Sequence, residues 1–454
     1  MDNLTHSVVG LGVGALIDRS LPPEPDALRE RRRARLLLTV CCLASNFPDL
    51  DLVLTPLLDA PLGYLLHHRG HTHTLLAALS EAALLLGLTW LLWPGARRLL
   101  RDSRQARRGV LLAAAAGLLL HLGMDGLNVY GVHPFWPLDP DWYYGDLVFI
   151  VEPVFWIAFG VPLAAMVSRR WPRRLLLGAL VAVPLGFTLG GFLQWGSLAG
   201  MLALGGALAW IQRRIAAPAS LPGATGDAAP GRPPRRRAGL VAGLAAALAF
   251  VGIQAIAMQQ ARGVVAGAIG RVDGGERLLD VALSAYPANP LCWSFVSVAS
   301  DSAGGSYHLR RGLLSIAPGM APVASCPAPI AGRAPQADPA PPRAAPGSAN
   351  AAPLAAPATT ADGQASPAGL AWTAEERHSL ADLRALRQAN CHFDAWLRFA
   401  RAPSLDGAEA SDLRWSPPGS RNFSTIDYAA MAGLPCPHPV PGWGRPRADL
   451  LGER

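Results

Sequence analysis

Long apolar runs separated by short basic clusters set the pattern of this chain. Thr74 to Trp93 is apolar almost throughout and about twenty residues long, enough to cross the hydrocarbon core of a bilayer as a helix. Val110 to Leu127, Leu147 to Val167, Leu175 to Phe192 and Ala238 to Met258 read as further spans, and Leu198 to Ile211 crosses if tilted. Two shorter apolar segments come first. The Gly-rich Leu4 to Ile17 predicts a half-span or a buried helix, and Leu36 to Asn46 stops before Pro48, which cannot continue a helix. Leu52 to Leu66 is mixed. Asn128 to Asp146 is an aromatic, Pro-rich loop whose Trp136, Trp142, Tyr143 and Tyr144 suit a membrane interface.

Beyond residue 258 the pattern turns polar. Arg262 to Tyr286 predicts a helix ending at Pro287, and Cys292 to Ser300 and Ser306 to Ser315 alternate as the strands of a hairpin around Asp301-Ser302-Ala303-Gly304-Gly305. Residues 318–370 are Ala/Pro-rich and expected to be disordered. Thr373 with Glu376 has the form of a capping box opening a helix to about Asn390, with short strands expected around Phe393 to Phe399 and Asn422 to Tyr428. The expected fold is an all-α multi-pass membrane helical bundle followed by a small α+β extramembrane module. Its divisions are a membrane domain at 1–212, a basic linker at 213–237, a last transmembrane helix at 238–258 and the C-terminal module at 259–454.

Composition agrees: 51% of residues are hydrophobic and 16% charged, far from a soluble average. The net charge of +8 falls in clusters between apolar runs without aromatic interleaving, which argues for cytoplasmic loops and against nucleic acid. The opening Met1-Asp2-Asn3-Leu4-Thr5-His6 lacks a basic n-region, so no cleaved signal peptide is expected. Cys41 and Cys42 sit in an apolar run and suit packing. Cys292, Cys326, Cys391 and Cys436 lie in the C-terminal module and can form two disulfides if it is extracytoplasmic, with pairing left open. There is no Cys-x-x-Cys spacing, so no zinc ribbon.

Candidate chemistry gathers on one side once topology is assigned. Placing the arginine-rich stretches 29–35, 97–108, 169–174 and 213–237 in the cytoplasm sends residues 36–46 outward to Pro48-Asp49-Leu50-Asp51. It also starts Thr74 to Trp93 at an outer His67-His68-Arg69-Gly70-His71-Thr72-His73. His121 and Asp125 then fall near the outer end of their span, on one helix face at i, i+4, and Glu152 lies close to the same surface. His6 joins them if the first segment enters from outside. Imidazole and carboxylate donors without thiolates favour zinc, one to three ions, with manganese or iron as alternatives. Taken singly, each residue has a plainer reading: a surface His6, a Pro-Asp helix stop, a structural His121–Asp125 pair. Asn128, His133 and Asp146 are further candidates.

These residues resemble the YdjM-type family of inner-membrane, metal-dependent hydrolases. The likeness rests on Thr5-His6, Pro48-Asp49-Leu50-Asp51, His68-Arg69-Gly70-His71-Thr72-His73, His121-x-x-x-Asp125 and Gly131-Val132-His133-Pro134-Phe135-Trp136-Pro137. It covers the first third to half of the chain. Thr74 stands where the family usually has Ser, and His71 falls at a variable position and is not counted as a ligand. Tyr286-Pro287-Ala288-Asn289-Pro290-Leu291-Cys292-Trp293 is similar to the start of an extra-membrane extension in longer members. More distantly the family resembles zinc-dependent phospholipase C and P1-type nucleases, which implies cleavage of phosphoesters.

The expected protein is therefore a metal-dependent hydrolase of a bacterial inner membrane, acting on phosphoesters or lipid-like substrates at the extracytoplasmic face. Its metal ligands are expected among His6, Asp49, Asp51, His68, His73, His121 and Asp125. Asp51 or Glu152 is the expected general base and Arg69 the phosphate grip. Its expected partners are the lipid bilayer and that substrate; protein partners are not indicated. The rivals are a non-catalytic membrane scaffold with a structural metal, and a metal transporter.

Overall fold

The structure is a computed structural model describing residues 1–216, 237–272, 275–301, 304–327, 369–437 and 440–453. Most of the basic linker and of the Ala/Pro-rich stretch, and Ser302 and Ala303 of the hairpin, lie outside the described residues. The chain divides into two compact units. The first is Met1–Leu50, His71–Asn128 and Phe149–Ile253; the second is Asp51–Gly70, Val129–Val148 and Gln254–Arg454.

The described part of the first unit is helical. Helices α1 (Asn3–Ser20) and α2 (Ala27–Ala44) are followed by a 3-10 turn, Pro48–Val53, whose later residues belong to the second unit. After a second 3-10 turn (Thr55–Leu57) and the short α3 (Leu62–His67) of the second unit come α4 (Leu75–Leu92), α5 (Pro94–Asp102) and α6 (Arg104–Gly126). Then follow α7 (Pro153–Met166), α8 (Arg170–Leu189), α9 (Trp195–Ala216) and α10 (Ala238–Val272), which ends in the second unit. Side-chain caps start the helices where the sequence places Asp, Thr and Ser: Asp2 accepts from Thr5 N, Asp26 from Arg29 N, Thr74 from Ala77 N and Ser103 from Ala106 N. Among the described residues four helices are long and apolar enough to cross a membrane, α4, α6, α8 and α10, and a fifth if α2 and the bent turns after it are one span.

Small residues bring α1, α2 and α6 together. A Cβ on Gly14 would meet the Leu37 carbonyl oxygen at 2.9 Å, and one on Gly117 would meet Ala44 Cβ at 2.5 Å and Cys41 O at 2.6 Å, the close approach that small residues permit between membrane helices. Leu36, Leu37, Val40, Val110, Ala113 and Leu118 form the core beside them.

Two expectations for this unit change. The arginines at 29–35 are not a loop but part of α2. Arg33 is fully buried, 3.0 Å from Asp18 and 3.3 Å from Glu24, so one of the charges counted as loop pays for packing instead. The span expected from Leu147 starts only at Pro153, where Glu152 is the extended N-cap, its side chain accepting from Val154 N, and Pro153 takes the first helical position. That leaves a helix of 14 residues.

The second unit contains an antiparallel meander of β1 (Glu276–Tyr286), β2 (Asn289–Asp301), β3 (Ser306–Ser315) and β4 (Leu370–Ser379), in that spatial order. One face packs against α11 (Leu380–Ala389), α12 (Cys391–Trp396) and α3 through Val296, Tyr307, Leu383, Phe393, Trp396 and Leu66. The other packs against the end of α10 through Ala261, Val265, Leu283 and Trp293. A second sheet of β5 (Pro403–Asp406), β6 (Glu409–Asp412) and β7 (Ile426–Asp427) completes it. The hairpin strands fall where the alternation puts them, but three other elements change type. The helix expected through Tyr286 stops at Val272, and Glu276–Tyr286 is strand β1, paired along its length to β2. Thr373 and Glu376 lie in strand β4, and the helix begins after Ser379, which caps it through Asp382 N. Residues 391–396 form a helix, capped by Asn390, where a strand was expected. Cys292 pairs with Cys326 and Cys391 with Cys436; Cys41 and Cys42 are free.

Candidate metal centre

Three elements of the first unit deliver four ligand-type side chains to one point. The turn after α2 supplies Asp49, the 3-10 turn His71–His73 supplies His73, and one face of α6 supplies His121 and Asp125. Their donor atoms all lie within 4.8 Å of one another. His73 Nε2 is 3.0 Å from His121 Nε2, 3.2 Å from Asp125 Oδ2 and 3.4 Å from Asp49 Oδ1; His121 Nε2 is 3.6 Å from each of those carboxylate oxygens. All four residues are buried. His6 extends the group from α1: its Nε2 is 3.2 Å from Asp125 Oδ1 and its ring stacks on His121 at 4.1 Å. The Met1 amino group also meets Asp125 Oδ1.

The donor set fits a divalent cation. His121 Nδ1 is 2.8 Å from the Ser45 carbonyl oxygen; a carbonyl only accepts, so Nδ1 carries the proton and Nε2 turns its lone pair inward. This is the outer-shell contact that fixes the tautomer of a metal-binding histidine. Two buried carboxylates face two imidazoles, and burial makes their charge costly; the Met1 amino group at Asp125 offsets part of it, and a divalent cation would offset the rest. Donors of a tetrahedral zinc held at 2.0–2.1 Å stand roughly 3.3 Å apart, and the five pairs here that include a histidine are 3.0–3.6 Å apart.

The remaining candidates are placed differently. In the second unit, Asp51 Oδ1 lies 3.2 Å from His68 Nδ1, and Asp51 Oδ2 accepts from the backbone N of Arg69, which sits at φ +58°. His68 stacks on Tyr64, and the Arg69 guanidinium lies 4.7 Å over the Tyr130 ring, buried. Glu152 is buried in the first unit, where its Oε1 accepts from Val154 N and caps α7; it is not one of the four clustered residues. A carboxylate used as a helix cap reads in sequence like a base. Asp146 is held by Arg401 at 2.8 and 2.9 Å and by Arg262 at 2.8 Å, a structural ion network that includes Asp280. His133 packs between Trp142 and Trp443, Asn128 is buried, and His71 is exposed.

Sequence reasoning missed Ser45 and Arg401. Ser45 acts through its backbone carbonyl, which no residue type announces, and its hydroxyl donates to the His6 carbonyl at 2.9 Å. Arg401 pairs across 255 positions of chain, and only the folded chain brings its partner.

No solved structure matches the chain. It is 28% identical over 160 residues to the Bacillus subtilis protein YfhP, a match covering 35% of this chain and 44% of that relative. The family model of the YdjM inner membrane protein matches residues 1–195, the region that holds His6, Asp49, His73, His121 and Asp125, and to that extent the N-terminal part of the chain is similar to this family.

Proposed function

We propose that the protein is a membrane-bound, metal-dependent hydrolase of phosphoesters or lipid-like esters. The observation that carries this reading is the buried convergence of Asp49, His73, His121 and Asp125 from three elements of a membrane bundle, supported by the family match. Zinc suits the nitrogen and oxygen donors best; bound there, it would supply Lewis acidity and lower the pKa of a water toward neutrality. Asp49 and Asp125 supply the negative charge that holds the cation, and the Ser45 carbonyl holds His121 in its ligating tautomer. Glu152 is given no proton-transfer role, since its carboxylate caps α7. In the hydrolysis, the oxygen of water bonds to phosphorus or to the acyl carbon, the ester bond breaks, and the proton of water ends on the leaving oxygen.

We place the C-terminal module outside the cytoplasm. Its two disulfides support this, because such bonds persist in oxidising compartments, and the arginine clusters independently favour the same orientation. Burial of all four ligands also suits a second reading, a structural metal in a membrane scaffold, since structural sites are closed. Metal analysis of the purified full chain, then hydrolysis of a chromogenic phosphodiester by wild type and His121→Ala, separates the two. The hydrolase reading expects bound divalent metal and a loss of at least about a hundredfold in turnover in the variant. Metal retained without turnover in the wild type supports the scaffold, and absence of metal opposes both.

A further inference from the structure

An apolar groove of about 390 Å³ lies in the first unit, along the second half of α4 and against the end of α2. Leu88, Leu92 and Trp93 line it from one side and Leu43, Phe47 and Leu50 from the other. Its two polar side chains are turned to other partners: Asn46 Nδ2 donates to Cys42 O and Ser7 Oγ, and Thr89 Oγ1 donates to Leu85 O. The groove therefore offers a ligand almost nothing but hydrocarbon. It also opens where hydrocarbon is found, because α4 is apolar enough to span and buries only Glu81, Leu85 and Thr89 against the protein.

Position gives the groove a use. Phe47 and Leu50 flank Pro48 and Asp49, so the groove adjoins the turn that carries a ligand of the metal centre. That turn and the next are amphipathic in an unusual sense. Asp49 and Asp51 are buried, whereas Leu50, Val53, Leu54 and Leu57 are 52%, 69%, 61% and 81% exposed. Outward leucines on a segment continuous with a span partition into the acyl boundary of a bilayer, which sets the carboxylates at the depth of lipid headgroups and ester bonds.

We infer that the groove receives the hydrocarbon chain of a membrane lipid whose ester or phosphoester is the bond cleaved, so that substrate enters sideways from the bilayer. The inference rests on the hydrolase reading above and narrows it to substrates carrying an acyl or alkyl chain. Chain burial supplies binding energy away from the reacting atoms, about fourfold in affinity for each methylene fully buried, and holds the bond beside Asp49.

Two measurements on the full chain in nanodiscs test it. The first uses a series of p-nitrophenyl phosphodiesters whose alkyl group lengthens from methyl to hexadecyl. The expected result is a kcat/KM rising by at least about tenfold along the series. Leu88→Trp, which fills the groove, should lower the ratio of long-chain to short-chain turnover by a similar factor, while Leu79→Trp, on an exposed part of α4 outside it, should not. A flat series, or a ratio equal in both variants, overturns the groove while leaving the hydrolase intact; hydrolysis unaffected by His121→Ala overturns the hydrolase reading instead. The second measurement needs no turnover. A lipid with a photoactivatable acyl chain should cross-link to Leu88–Leu92 more strongly than to Leu76–Leu79, and Leu88→Trp should remove that excess. Equal labelling of both stretches counts against the groove.

Discussion

His121 shows how one side chain is committed by its surroundings. With Nδ1 donating to Ser45 O and Nε2 facing His73 and two carboxylates, its proton and lone pair are assigned before any ligand arrives. Asp125→Asn and Asp49→Asn are expected to weaken metal binding by more than the roughly 10–100-fold that loss of an outer-shell partner costs, read by competition with a chromogenic chelator. Unchanged affinity would remove these carboxylates from the site. In the second unit, burial alone would raise the Asp280 pKa, but the Arg401 and Arg447 guanidinium groups outweigh it and hold the carboxyl below its usual range. A depressed carboxyl stabilises the fold fully above its unfolded value near 4 and loses that contribution as pH falls below it. Acid titration followed by the near-UV signal should therefore weaken this unit progressively below about pH 4. Arg401→Met leaves Asp146 and Asp280 buried with less counter-charge, and is expected to cost about 3–5 kcal/mol in chemical denaturation.

Helices α1, α2 and α6 touch backbone to backbone at glycine, and this contact decides where the ligands stand. Gly117 lies four residues before His121, and the carbonyl it faces, Cys41 O, lies four before Ser45. Gly117→Val puts atoms into a backbone carbonyl that cannot yield like a flexible side chain, so α6 has to shift from α2. The expected outcome is a fall in thermal stability together with weaker metal binding, since the Ser45–His121 hydrogen bond spans the same interface. Gly178→Val on α8, where a Cβ meets nothing within 4 Å, should leave metal binding in place. Element type was harder to read in the C-terminal module. Thr373 and Glu376 have the spacing of a capping box, yet the Leu370–Ser379 backbone is paired to β3 on both sides of a bulge at Thr373. Ladder hydrogen bonds to a neighbour distant in sequence override a local cap signal.

At the scale of the molecule, the two units are held by different means, a buried polar cluster within a helical bundle and a pair of disulfides around sheets. The disulfides close stretches of 34 and 45 residues, and each is expected to contribute about 3–4 kcal/mol in the loop-entropy account. Hydrogen exchange should separate the two supports. Chelation should raise exchange in α6 and the turn Pro48–Val53, and reduction should raise it in β2 and α12. The reverse pattern would contradict this division.

What the sequence determined by itself was local or periodic. Unbroken apolar length marked α4, α6, α8 and α10 as spans, alternation marked the β2–β3 hairpin, and the rarity of His and Asp beside apolar runs put Asp49, His73, His121 and Asp125 among seven candidate ligands with His6, Asp51 and His68. Burying an ionisable group against lipid is costly enough that such a residue stands out wherever it falls. Tertiary structure alone decided the rest. It set Ser45 behind His121, gave Glu152 to a helix cap and Asp146 to Arg401, buried Arg33 within its own unit, and turned residues 276–286 and 370–379 into strands. Each of these depends on a hydrogen-bond or ion-pair partner supplied by another part of the chain, and spacing along one segment carries no record of which partner folding will bring.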